Sequence, residues 1–173
     1  MRGLLPLLAL AALAGCEGKA PVVPSGNNDV GSALDRQAIA SGILPDPRNL
    51  EFAGRFETRS ELGTDKFCAV GNGDGRFLIG VLAVFGPESK CEGTGSATIE
   101  GDKVEITLNS KDRCRFDAQY DGVELRFPGS VERGCASYCS DRASMSGTHY
   151  FMVQHGGESA RRTLGRDIER LCR

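Results

Sequence analysis

Seven cysteines and two histidines are the side chains in this 173-residue sequence with the widest chemical range. A thiol can be a nucleophile, a metal ligand, an acylation site or half of a cystine. Cys68, Cys91, Cys114, Cys135, Cys139 and Cys172 make an even six. Outside the cytosol that number reads as three disulfides, with fifteen connectivities open. Cys91 and Cys114 flank a predicted hairpin and are expected to pair. Cys172 would close the C-terminal segment onto Cys68, which leaves Cys135 for Cys139. The competing use of the last two is a metal site completed by a histidine. C-x₃-C lacks the second matched pair of a zinc site, so no metal is expected, nor any other cofactor. Six thiols committed to pairing leave none for catalysis. His149 falls in a predicted strand and His155 beside a glycine turn, neither at ligand spacing. No G-x-S-x-G elbow exists, and the acidic residues are scattered over turns and strand exteriors. An enzyme is therefore not expected. A hydrolase using His149 or His155 with carboxylates is the residual enzymatic alternative.

The seventh cysteine, Cys16, ends a different pattern. Arg2 supplies a positive charge, residues 4–13 are apolar apart from Pro6, and Leu13-Ala14-Gly15-Cys16 follows. The apolar run is shorter than the roughly 20 residues of a bilayer span and matches a signal-peptide core. Leu, Ala-Gly and then Cys resembles the lipobox of bacterial lipoproteins. The resemblance implies cleavage before Cys16, diacylation of its thiol and membrane attachment through acyl chains. Each buried CH₂ of those chains contributes roughly 0.8 kcal/mol, so two or three chains hold stably. Glu17, where Asp retains many such proteins in the inner membrane, implies an outer-membrane anchor on the periplasmic face.

Near the other end, Ser144-Met145-Ser146-Gly147-Thr148-His149-Tyr150 reads S-x-S-G-x-x-Y. This resembles the loop motif of the periplasmic and membrane-bound inhibitors of c-type lysozyme, which are small cystine-stapled barrels. In that family the serine-glycine loop enters the enzyme cleft and hydrogen-bonds its catalytic carboxylates. The resemblance implies that Ser144, Ser146, Gly147 and Tyr150 are partner contacts. It covers seven residues, and the chain departs from the family in its length, its extra cysteines and its lack of Trp.

Composition narrows the remaining classes. Lys+Arg number 21 and Asp+Glu 23, a formal net charge of −2 without a long basic run, so no nucleic-acid partner is expected. Gly at 23 with no Trp suits short strands and tight turns.

The elements that must position these groups divide the chain into a signal (1–15), a tether with a short helix (16–49) and a β-domain (50–173). Pro21, Pro24, Gly26, Asn27 and Asn28 mark the tether. Residues 32–42 predict a helix with Ser32 as N-cap and Gly42 as terminator. From residue 50 onward, apolar alternation punctuated by Asn72-Gly73, Asp74-Gly75, Gly101-Asp102 and Asp121-Gly122 predicts antiparallel hairpins. Residues 77–85 are apolar throughout and read as a strand covered on both faces. Residues 134–144 read as a short helix or a disulfide-pinned loop, and 145–154 as the last strand. Ala160, Leu164, Ile168 and Leu171 share one helical face, predicting a helix over 158–172 with an arginine-rich outer face. That face is a solvated surface or a contact for lipid headgroups or an acidic partner.

The expected fold is mainly β: a small antiparallel barrel or sandwich, disulfide-stapled, with a C-terminal α-helix. The expected function is a non-enzymatic envelope lipoprotein that binds an envelope protein or a small apolar ligand. Inhibition of a cell-wall-degrading enzyme is the alternative.

Overall fold

Val104, Ile106 and Leu108 alternate with Lys103, Glu105 and Thr107, so a strand here has one apolar and one polar face. In the computed structural model of the chain the first three are buried, and the same alternation runs Cys114, Phe116, Ala118 and Tyr120 on the next strand. The structure describes residues 32–44, 46, 49–109 and 113–173. The signal, Cys16 and the proline-rich part of the tether lie outside the described residues.

Eight antiparallel strands follow one another around a closed barrel: β1 (Gly54–Ser60), β2 (Gly63–Gly71), β3 (Arg76–Val84), β4 (Lys90–Glu100), β5 (Lys103–Leu108), β6 (Cys114–Tyr120), β7 (Glu124–Arg126) and β8 (His149–His155). Each strand pairs with its sequence neighbours, and β8 closes on β1 with a register shift between Arg55 and Phe56. Closure removes the free strand edges that would template aggregation. Helix α1 (Ala33–Ala40) precedes the barrel. Ser32 caps it in a reciprocal box with Asp35, and no residue of α1 is buried. The last strand is shorter than expected: residues 145–148 form a turn, and β8 begins at His149.

Side chains fill the interior. Phe52 meets Phe77 and Tyr120 edge-on, with ring centroids 5.1 and 5.2 Å apart. Phe127 lies 4.8 Å from Phe116 and 5.2 Å from Tyr150. The first two are edge-to-face and the Phe127 pairs tilted; such aromatic contacts contribute about 0.5–1.5 kcal/mol each beyond their burial. Burial pushes the Tyr120 and Tyr150 phenols well above the ordinary tyrosine range. Tyr120 spends its hydroxyl near the carbonyls of Glu51 and Gly122, at 3.0 and 2.9 Å.

The cystines are Cys68–Cys172, Cys91–Cys139 and Cys114–Cys135. The first is as expected; the other two correct the expected Cys91–Cys114 and Cys135–Cys139 pairs. Cys91 stands on β4 and Cys114 on β6, with β5 between them. Two strand spacings are about 10 Å, beyond the Cα separation a cystine tolerates. Both reach instead into the 127–148 connection. There the 3₁₀ helix Arg133–Tyr138 buries Cys135, and Cys139 forms an isolated bridge with Cys91.

The C-terminal helix is also corrected in extent. Helix α2 covers Gly157–Arg161 alone. Residues 162–173 leave the helix and form a strap across the outside of β2 and β3. Thr163 and Gly165 are poor helix formers, and the strap's amide groups find better partners than a further helical turn would give them. The Glu92 carboxylate accepts the N–H groups of Arg166 at 2.7 Å, Asp167 at 2.8 Å and Ile168 at 3.2 Å, and Lys90 Nζ at 3.0 Å. Burial alone would raise the Glu92 carboxyl. These N–H groups and the Lys90 ammonium outweigh it and hold the group below the usual carboxylate range.

The strap explains the apolar run at 77–85. Ile79, Val81 and Ala83 face the barrel core, while Leu82 and Val84 pack outward with Cys68, Val70, Ala160, Leu171 and Cys172. Gly80 sits under the strap, where an added Cβ would meet the Leu171 carbonyl carbon at 2.6 Å. Gly80→Val is expected to lift the strap and lower stability by about 1–3 kcal/mol. Urea unfolding reads the loss, and faster proteolysis within 162–171 locates it.

Candidate functional site

β7 is three residues long because Pro128 follows it closely and has no N–H to continue the ladder to β6. The chain then crosses one end of the barrel as the 127–148 connection. Two of the three cystines fasten this crossing, one to β4 and one to β6. Met145 is fully buried beneath it and seats the turn that follows.

That turn carries the serine-glycine motif. The Ser144 hydroxyl lies 3.0 Å from the Ser146 hydroxyl and accepts the Ser146 N–H at 3.1 Å. Gly147 has φ +72°, a left-handed conformation in which other residues are strained, and its N–H donates to the Pro128 carbonyl at 2.8 Å. The Thr148 hydroxyl donates to the Met145 carbonyl at 2.8 Å. Ser144 and Gly147 are exposed and Ser146 is half-buried. The turn thus presents two hydroxyls and an open backbone on a fixed support.

Tyr150 is a correction to the expected contact set. It points into the barrel, is fully buried, and packs on Phe67 and Phe127 at 5.8 and 5.2 Å. The motif resemblance made it a contact, although it falls within the predicted last strand. The strand parity of β8 sends it inward.

Asp65 had no sequence signal beyond being an acid in a strand. It is half-buried and accepts the Val84 N–H at 2.7 Å. Burial raises its carboxyl above the ordinary value, against the lowering pulls of that N–H and of the His149 imidazole. Glu92 was missed for the same reason, since only the fold reveals which acids are enclosed.

The histidines lie at opposite ends of β8, and both are exposed. The His149 ring packs edge-on against Phe151 at 5.5 Å, and His155 Nδ1 stands 3.6 Å from a Glu51 oxygen. Among the described residues, the Ser144 and Ser146 hydroxyls bond to each other and to no histidine. No group of three or more His, Cys, Asp or Glu among those residues is placed to hold a metal ion. No helix among them is long and apolar enough to cross a membrane. The arrangement offers hydrogen bonding from a turn fastened to the end of the barrel.

Comparison with family models, with curated proteins and with solved structures finds no match for this chain.

Proposed function

We propose that the protein is a non-enzymatic envelope lipoprotein, anchored through acyl chains on Cys16 at the periplasmic face of the outer membrane. Its barrel end serves as a rigid binding edge for a protein partner. The observation that carries this reading is the cystine-clamped 127–148 connection with its exposed Ser144–Gly147 turn. A turn held in one conformation before binding loses little entropy on binding, which is the usual gain from preorganisation. The packed aromatic interior favours a surface partner over an apolar ligand held inside the barrel. The lipobox pattern supports the anchor. Metabolic labelling with palmitate tests it: label should appear on the protein and vanish in Cys16→Ser, and an unlabelled parent ends the reading.

A second reading names the partner class as a cell-wall-degrading enzyme of the lysozyme type. It is favoured by two hydroxyls standing together on a narrow turn, able to approach paired carboxylates. A lysozyme activity assay with an excess of the oxidised protein decides it. Inhibition is expected, and Ser144→Ala/Ser146→Ala should weaken it about tenfold or more, since hydrogen bonds to charged acceptors are worth roughly 1.5–3 kcal/mol each. Full enzyme activity at excess protein would remove this reading while leaving the anchor intact.

A further inference from the structure

Several exposed cations of this protein have a fixed partner. Lys103 pairs with Asp117 at 2.9 Å and Arg126 with Asp121 at 2.8 Å; Arg115 pairs with Glu105, and Arg166 caps the Gly86 and Pro87 carbonyls. The end of α2 and the tail of the strap gather three that have none. Arg161, Arg170 and Arg173 are exposed, and among the described residues no carboxylate pairs with them. They converge on a groove of about 370 Å³ whose one acidic wall is Glu169. A second groove of about 370 Å³ continues from Arg170 and Arg173 over Leu78 and Ile168. The Cys68–Cys172 cystine fixes this face to the barrel wall.

The position of this face relative to the tether gives it a partner. Gly54 pairs with His155, and the Gly156 N–H donates to the Ala53 carbonyl at 2.9 Å. The chain therefore joins the barrel from the tether where it leaves β8 for α2, the helix that ends in Arg161. We propose that the face formed by Arg161, Arg170 and Arg173 binds the anionic phospholipid headgroups of the membrane to which the tether leads. This rests on the anchored reading for the nearness of a membrane. Its chemistry is the attraction of unpaired guanidinium groups to phosphate, worth enough per residue near an anionic surface to change affinity about fivefold. A tethered cationic face acts at high effective concentration, so modest intrinsic affinity suffices.

The test uses the oxidised segment 50–173. It contains all eight strands, all three cystines and every buried apolar side chain described, so it is a self-contained folding unit. It is sedimented with phosphatidylcholine vesicles, with or without about one third phosphatidylglycerol. Binding to the anionic vesicles alone is expected, fading as salt shortens the reach of the charges. Arg161→Gln/Arg170→Gln/Arg173→Gln should weaken it about a hundredfold, and the control Arg76→Gln/Arg113→Gln/Arg133→Gln should leave it unchanged. Equal binding to both vesicle types, or a triple variant that binds like the parent, overturns the proposal. So does a segment that ignores anionic vesicles yet captures polyglutamate through the same arginines, which makes an acidic protein the partner. The segment carries no acyl chain, so this result and the palmitate result can fail independently.

Discussion

Cys68→Ala/Cys172→Ala is expected to lower global stability by about 4–5 kcal/mol. The cystine closes a loop with a sequence separation of 104, almost the whole barrel. In the chain-entropy account, the cost of opening a cross-link grows with the loop it closes, reaching about 4.7 kcal/mol near 100 residues. The loss should therefore appear in the unfolded state of the entire domain. Urea unfolding of the variant should show a lower midpoint, and native-state hydrogen exchange in β4, β5 and β6 should quicken in proportion. An unchanged midpoint would mean that the strap and barrel are held by packing and Glu92 alone.

Glu92→Gln is the second large effect, expected at about 3–5 kcal/mol. The Glu92 side chain is 4% exposed and gathers three strap N–H groups and Lys90, whose ammonium also pairs with Asp167. The amide removes the charge that those donors converge on and turns a donor of its own toward them, leaving buried polar groups unmatched. The sign of the pH dependence follows from the lowered carboxyl. Its stabilisation is fully present above the ordinary carboxylate value of the unfolded chain. It is lost as pH falls through the lower value of the folded state. The parent should thus show an acid limb in its stability profile, and Glu92→Gln should flatten that limb. A variant with the parent's acid limb would place the pH sensitivity elsewhere.

The strands were legible because alternation is local. Val104, Ile106 and Leu108 announce a face, and Asn72-Gly73 announces a turn, without reference to anything distant. The strap was not legible, because its apolar spacing fits a helix equally well. Ala160 and Leu171 are buried as a helix would bury them, yet Leu164 is exposed. What decides the matter is a carboxylate 74 residues away from Arg166, on a strand whose neighbourhood the local pattern does not describe. Cystine partners were hidden in the same way. Cys91 and Cys114 flank one hairpin in sequence, but the intervening β5 holds them apart in space. The serine-glycine turn was visible as a motif, and its exposure followed from its polarity. Tyr150 shared the motif but belonged to the parity of β8, which only the closed barrel makes evident.

Closure of the barrel by β1 has a mechanical consequence. A pull delivered at residue 53 runs along β1, which has seven register partners on β2 and four on β8. Arg55 is the register partner of Cys68, and Cys68 is bonded to Cys172, so a load between residue 53 and Cys172 meets the β1–β2 ladder at one end and opens its bonds one by one. Stretched between those two points, the protein should therefore open from that end of β1 at low force, one pair after another.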